Sequence, residues 1–273
     1  MKKNFVSDNK AFNTQLLDFI LNFKSLGDMF NDGDRNIIKT MTIGGMLVNV
    51  KSFRTPNIIN KIVYRFFRKS KAQRSFEYAQ YLENHDFGTP KPLGYFENSS
   101  ALTFRDSYYA SEHLKADLTY RELTTDLNYP NHEDILRAFT RFSFKLHQNG
   151  INFLDHSPGN TLIKITPNGY NFYLVDLNRM QFEPMPFIKG VRNFNRLSKF
   201  PEIVKIMSDE YAKCVNKDPD EVYTLMWQYT NEFRTKINFC WHQLPKSSKK
   251  MDLFLIHYRL YLYWPYCADG FIF

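Results

Sequence analysis

Apolar positions come in short β-rich runs in the first half of the chain and at helical spacing in the second. Residues 37–43 and 46–53 are strand-like runs joined by Gly44-Gly45, a two-residue hairpin signal. Residues 58–83 read as helix in two pieces, the later one carrying Ala72, Phe76, Ala79 and Leu82 on one stripe. Asp86-Phe87-Gly88-Thr89-Pro90 then supplies stop signals. Residues 94–97 and 108–114 are further strand candidates. The spacing of Ile135, Leu136, Phe139, Phe142 and Leu146 predicts an amphipathic helix over 133–148, with Gly150 beyond its end. An antiparallel sheet plus helix followed by a mainly helical region predicts an α+β fold in two lobes, residues 1–114 and 115–273.

Composition narrows the class. The chain has 273 residues, 43% hydrophobic and 23% charged, with 26 Phe, 17 Tyr and 3 Trp, which excludes a disordered chain. Cys214, Cys240 and Cys267 are too few and too widely spaced for a disulfide scaffold, so a reducing compartment is expected. Neither these cysteines nor His242 has metal-ligand spacing. Met1-Lys2-Lys3 is followed by Ser7, Asp8, Asn9 and Lys10 where a leader would turn apolar. Residues 253–264, the most apolar candidate span, are interrupted by His257 and Arg259, so the aromatic-rich 253–273 reads as core helix and the protein as cytoplasmic.

The chemistry concentrates in residues 153–176. Asp155-His156-Ser157-Pro158-Gly159-Asn160 is a polar loop, and residues 161–166 and 170–175 read as strands around Pro167-Asn168-Gly169. A hairpin brings the start of its first strand beside the end of its second. Asn160 and Asp176 therefore become neighbours, with Asp155 on the same loop. Two carboxylates and an amide oxygen are hard ligands suited to Mg²⁺, and one further polar group could orient or deprotonate a nucleophile. His156 beside Asp155 reads as an exposed loop histidine, His147 as a hydrogen-bonding residue at a helix end, and Arg179 as a partner for a nearby acid.

Asp155-x-x-x-x-Asn160, a strand hairpin and Asp176 resemble the catalytic loop and metal-binding aspartate of the protein-kinase-like fold. Val48-Asn49-Val50-Lys51 resembles that fold's strand lysine, and Glu77 its anchoring glutamate. Within the fold, the chain is similar to the lipopolysaccharide core kinases that phosphorylate Kdo or heptose. The likeness rests on Ser70-Lys71-Ala72-Gln73-Arg74-Ser75-Phe76-Glu77, Phe87-Gly88-Thr89-Pro90-Lys91-Pro92-Leu93-Gly94-Tyr95, Leu146-His147-x-x-Gly150 and Asp176-Leu177-Asn178-Arg179, and it spans about residues 30–200. It implies a bilobal protein-kinase-like fold with a small antiparallel-sheet N-lobe and a mainly helical C-lobe, and an ATP- and Mg²⁺-dependent phosphotransferase acting on a Kdo hydroxyl of the lipopolysaccharide inner core. Lys51 would contact nucleotide phosphates, held by Glu77. Asp155 would take the hydroxyl proton, and Asn160 and Asp176 would hold Mg²⁺. Residues 111–114, including Glu112 and Leu114, would meet adenine.

The chain also departs from the kinase pattern. Asn31-Asp32-Gly33-Asp34-Arg35 stands where a glycine-rich phosphate loop is expected, and acids beside phosphate are unfavourable. Phe153-Leu154 replaces His-Arg, which argues against control by activation-loop phosphorylation, and Asp176-Leu177-Asn178 replaces Asp-Phe-Gly. A small-molecule or protein kinase of the same fold, and a non-catalytic pseudokinase or anionic-surface-binding module, remain as alternatives.

The charge sharpens the expected partner. The net +8 is concentrated, since Lys51, Arg54, Lys61, Arg65, Arg68, Lys69, Lys71 and Arg74 fall in residues 51–76 with no acid among them. Ile58, Ile59, Ile62, Val63, Phe66 and Phe67 are interleaved, a basic amphipathic pattern that suits an anionic lipid surface, an anionic saccharide or nucleic acid. Beside the kinase resemblance, contact of residues 54–74 with a lipid A–Kdo acceptor at the anionic inner leaflet is the expected use. That would make the protein peripheral to the inner membrane.

Overall fold

The computed structural model describes residues 2–32, 36–53, 69–99 and 104–242. The chain divides into two units at Pro184–Met185. The first is built on a six-stranded antiparallel sheet of β1 (Lys2–Phe5), β2 (Asp28–Asp32), β3 (Asn36–Ile43), β4 (Met46–Phe53), β5 (Pro92–Ser99) and β6 (Phe104–Glu112), in the order β1-β5-β6-β4-β3-β2.

The β3–β4 hairpin turns at Gly44-Gly45 as expected. Both glycines have positive φ, 56° and 80°, the left-handed pair that a tight two-residue turn demands. Alternation along β4 places Val48 and Val50 on one face and Lys51 and Phe53 at the other parity. Helix α1 (Lys10–Leu21) is capped by Asn9, whose side chain accepts from the amides of Ala11 and Phe12. It buries Leu16, Phe19 and Ile20 against Val48, Val50 and Phe96. Helix α2 (Lys71–Glu83), capped by Ser70, whose hydroxyl oxygen accepts from the Gln73 amide, places Ala72 and Phe76 with Phe53 and Tyr95. Lys51 thus shares its strand parity with the residue that α2 covers.

Past the sheet come β7 (Leu118–Thr119), α3 (Tyr120–Thr125) and α4 (His132–Gln148), whose buried stripe of Ile135, Leu136, Phe139 and Leu146 matches the expected helix. Strand β8 (Ile151–Phe153) pairs with β11 (Met180–Phe182), and β9 (Thr161–Thr166) with β10 (Gly169–Leu174) and β7. The β9–β10 loop is only Pro167-Asn168, because Gly169, at φ 123°, already pairs with Thr166. A core of Ala79, Leu82, Phe87, Leu146, Ile151, Phe153, Leu174, Leu177 and Met180 ties α2 to these strands.

The second unit contains α5 (Phe187–Arg192), α6 (Pro201–Val215) and α7 (Pro219–His242). Pro201 opens α6 at a position where a missing N–H costs nothing, and Asn216 ends it in the left-handed region. Arg192 and Arg196 lie over the Tyr229 and Phe233 rings of α7. No described helix is long and apolar enough to cross a membrane. The sequence reading did not anticipate β1, α1 or the short elements β7, β8 and β11. Most of the basic stretch, residues 54–68, and the aromatic segment 253–273 lie outside the described residues, as do Gly33, Asp34, Arg35 and Cys267.

Candidate functional site

Two pairings close the segment that carries the polar residues. At one end the Val175 amide donates to the Asn160 carbonyl at 3.0 Å, in continuation of the Leu174–Thr161 pair. At the other the Leu154 amide donates to the Arg179 carbonyl at 3.1 Å, in continuation of the Phe153–Met180 pair. Asp155, Asn160 and Asp176 all sit between these two closures. Phe153 is fully buried, so the strand that delivers Asp155 is anchored in the core.

The amide nitrogen of Asn160 donates to the Asp155 backbone carbonyl at 2.8 Å. That bond fixes the loop and leaves the carboxamide oxygen as the acceptor end of the side chain. Asp176 adopts φ 58°, a left-handed conformation that few residue types other than Gly, Asn and Asp take up readily. Its Oδ1 accepts from Asn178 at 2.6 Å and pairs with the Lys51 ammonium at 2.8 Å. The Lys51 and Asp176 side chains are 14% and 29% exposed, so the ion pair is largely sheltered from water.

Burial acts to raise the Asp176 carboxyl pKa. The Lys51 charge, hydrogen bonds from Lys51 and Asn178, and the charge of Lys71 outweigh it, and the carboxyl is held below its usual value. A carboxyl lowered in the folded state adds stability above the ordinary carboxylate range, and that stability is lost as pH falls through the lowered value. Asp176→Asn removes this contribution. Chemical denaturation between about pH 6 and pH 3 should show a shallower loss of stability in the variant than in the wild type. Parallel curves would refute the linkage.

Lys51 and Glu77, expected to pair, do not. Lys51 is taken by Asp176, whereas Glu77 accepts from Lys69 at 2.8 Å through one oxygen and from Gln73 at 2.9 Å through the other. Glu77 finds donors on and beside its own helix, in Gln73 and Lys69, and Lys51 is left to Asp176, whose carboxylate its charge and hydrogen bond stabilise against burial. His156, expected as an exposed loop residue, is only 1% exposed and lies between the rings of Phe139 and Phe153. Its amide donates to the Phe153 carbonyl, so the turn after β8 points the ring inward. His147 is buried in the last turn of α4. Arg179 stands 3.8 Å from the Asp155 carboxylate.

Glu112 closes β6, its amide donating to Lys91, and the His113 amide donates to Leu47 at 2.8 Å. Leu114 follows directly. The segment after α2 docks on β10: the Leu174 amide donates to Gly88 and the Thr89 hydroxyl to the Leu174 carbonyl, at 2.9 and 3.0 Å. Neither this dock nor the approach of Arg121 to Gly159 was visible in the sequence, because neither belongs to a periodic pattern.

The donor set fits a hard cation in kind. One carboxylate and one amide oxygen at the hairpin end, with a second carboxylate nearby, match Mg²⁺, which takes few protein oxygens and completes its shell with water and phosphate. Among the described residues no group of three or more His, Cys, Asp or Glu side chains could hold a metal by itself.

No protein-family model matches the chain, and no curated protein matches it. Among solved structures 1448 chains match, a breadth that identifies a fold and leaves its substrate open. One is WaaP in complex with acyl carrier protein, with a TM-score of 0.59 and 14% sequence identity over 85% of this chain and 99% of that chain. With an antiparallel-sheet N-terminal region followed by a helical region, the chain has the α+β, kinase-like fold that WaaP also shows.

Proposed function

We propose that the protein is an ATP- and Mg²⁺-dependent phosphotransferase acting on a sugar hydroxyl of the lipopolysaccharide inner core, with Kdo as the acceptor. The observation that carries this reading is the Lys51–Asp176 pair, which joins the central sheet strand to the hairpin end where Asp155 and Asn160 also lie. A sheltered ammonium paired with a carboxylate, at a hairpin end that also gathers an amide side chain and a second acid on the adjoining loop, suits a nucleotide triphosphate better than it suits a purely structural role. In this reading Lys51 binds nucleotide phosphate, Asp155 orients the acceptor hydroxyl and accepts its proton, and Asn160 and Asp176 hold the cation. When bound, Mg²⁺ supplies charge neutralisation across the phosphates. Glu77 would then act on Lys51 only after exchanging its Lys69 and Gln73 partners. With the Glu112 and His113 amides already engaged, adenine would meet the Glu112 carbonyl and the Leu114 amide.

Kdo is drawn from the sequence wording around Ser70–Glu77, 87–95 and 176–179, and lobes at 1–114 and 115–273 belong to the same proposal, as does a peripheral position at the inner leaflet through residues 54–74. Incubation with labelled ATP, Mg²⁺ and Kdo–lipid A should place phosphate on the sugar. Transfer to a different acceptor would favour another small-molecule or protein kinase. Absence of any ATP effect on the melting temperature, with or without Mg²⁺, would overturn the phosphotransferase reading.

A further inference from the structure

Arg121 lies one residue into the short helix α3, which packs against the turn Pro158–Asn160. Its guanidinium rests on Gly159: a Cβ built there would meet Nη2 at 2.6 Å, Cζ at 3.6 Å and Nε at 3.7 Å. The charged head therefore sits on the loop between Asp155 and Asn160, at a position that only a residue without a side chain leaves open. Arg121 is exposed, and no hydrogen bond or ion pair to its guanidinium is formed among the described residues.

The neighbouring acids are committed elsewhere. Glu122 feels the Arg121 charge, but its carboxylate accepts from the Thr119 amide at 2.9 Å in the helix cap. The Asp117 carboxylate accepts from the Ile165 amide at 2.7 Å. Asp155 faces Arg179. A guanidinium fork that is open to solvent and rests on the loop between Asp155 and Asn160 is suited to a planar oxyanion, which it grips with two parallel hydrogen bonds.

We propose that Arg121 is a specificity-determining residue that binds an oxyanion carried by the acceptor, next to the hydroxyl presented to Asp155. The inference rests on the phosphotransferase reading and deepens it, naming an acidic acceptor as the class the site selects. The oxyanion is either the carboxylate of a sugar acid such as Kdo or a phosphate borne by the same glycolipid, and the assay separates the two.

The test uses a soluble Kdo glycoside, its methyl ester, and Kdo–lipid A with and without the lipid A phosphates. Arg121→Ala should raise the acceptor KM on the order of tenfold or more, with a smaller change in the ATP KM. Arg121→Lys should recover part of that loss. Gly159→Ala should reproduce it, since the new methyl group displaces the mobile end of a side chain and leaves the backbone in place. If the carboxylate is the ligand, the methyl ester lowers wild-type activity and removes the difference between wild type and Arg121→Ala. If the phosphate is, dephosphorylated lipid A does so instead.

Transfer by the wild type with an unchanged acceptor KM in Arg121→Ala sinks the inference and leaves the phosphotransferase reading standing, as does a loss confined to the ATP KM. Should the wild type transfer nothing, calorimetric titration with the Kdo glycoside still decides the matter. Binding that weakens in Arg121→Ala supports the anion site without the chemistry, and equal or absent binding in both proteins overturns it.

Discussion

Asp155→Asn should lower kcat for phosphate transfer by about 10²–10⁴-fold, the range general-base catalysis contributes, while the ATP KM stays within a few-fold of wild type. The substitution keeps the size and shape of the side chain but removes its capacity to take a proton. The backbone carbonyl of residue 155 is retained, so the 2.8 Å bond that fixes the Asn160 side chain survives. The Arg179 guanidinium loses a counter-charge at 3.8 Å, and a small drop in thermal stability is expected alongside the catalytic loss. Rapid-quench measurement at saturating ATP separates the chemical step from binding. A variant retaining more than about a tenth of wild-type kcat would remove Asp155 from the role of general base.

The largest structural effect is expected at Gly88. A Cβ there would collide with the Phe172 carbonyl oxygen and stand 3.1 Å from the Tyr173 ring. The obstacle is backbone in the middle of β10, where Phe172 is paired with Ile163, so it cannot swing aside. Gly88→Ala must push the segment after α2 away from the hairpin, weakening the Gly88 and Thr89 bonds to Leu174. Overpacking of this kind, with the loss of a buried contact, should cost about 3 kcal/mol. Urea denaturation measures it as a lowered midpoint with little change in slope. Because Leu174 stands two residues before Asp176, nucleotide binding should fall in the fraction of protein that remains folded. A destabilisation below about 1 kcal/mol would show that the dock is looser than the distance implies.

These residues divide by the range of the interactions that place them. The Gly44-Gly45 turn, the helix at His132–Gln148 and the hairpin around Pro167-Asn168 follow from local rules, either a required positive φ or an apolar stripe at 3.6-residue spacing. Through that hairpin the nearness of Asn160 and Asp176 was legible as well, since an antiparallel turn brings both ends of its strands together. Lys51 could be placed on a strand, but its partner could not. Several acids were open to it, and it pairs with Asp176 while Glu77 is held by Lys69 and Gln73. His156 looks like a solvent residue in a stretch of Asp, Ser, Pro, Gly and Asn, and only the pairing of β8 with β11 turns it into the core.

The sequence by itself determined where the chain turns, which helix faces are buried and which polar residues one hairpin gathers. Each of those depends on neighbours a few positions away or on a single turn. Only the tertiary structure decided that Lys51 pairs with Asp176, that Gly88 is pressed onto Phe172 and that the Arg121 head lies on Gly159. Those contacts join residues tens to more than a hundred positions apart. They are set by which elements the fold brings together and which Cα can be approached closely, and no local periodicity encodes either.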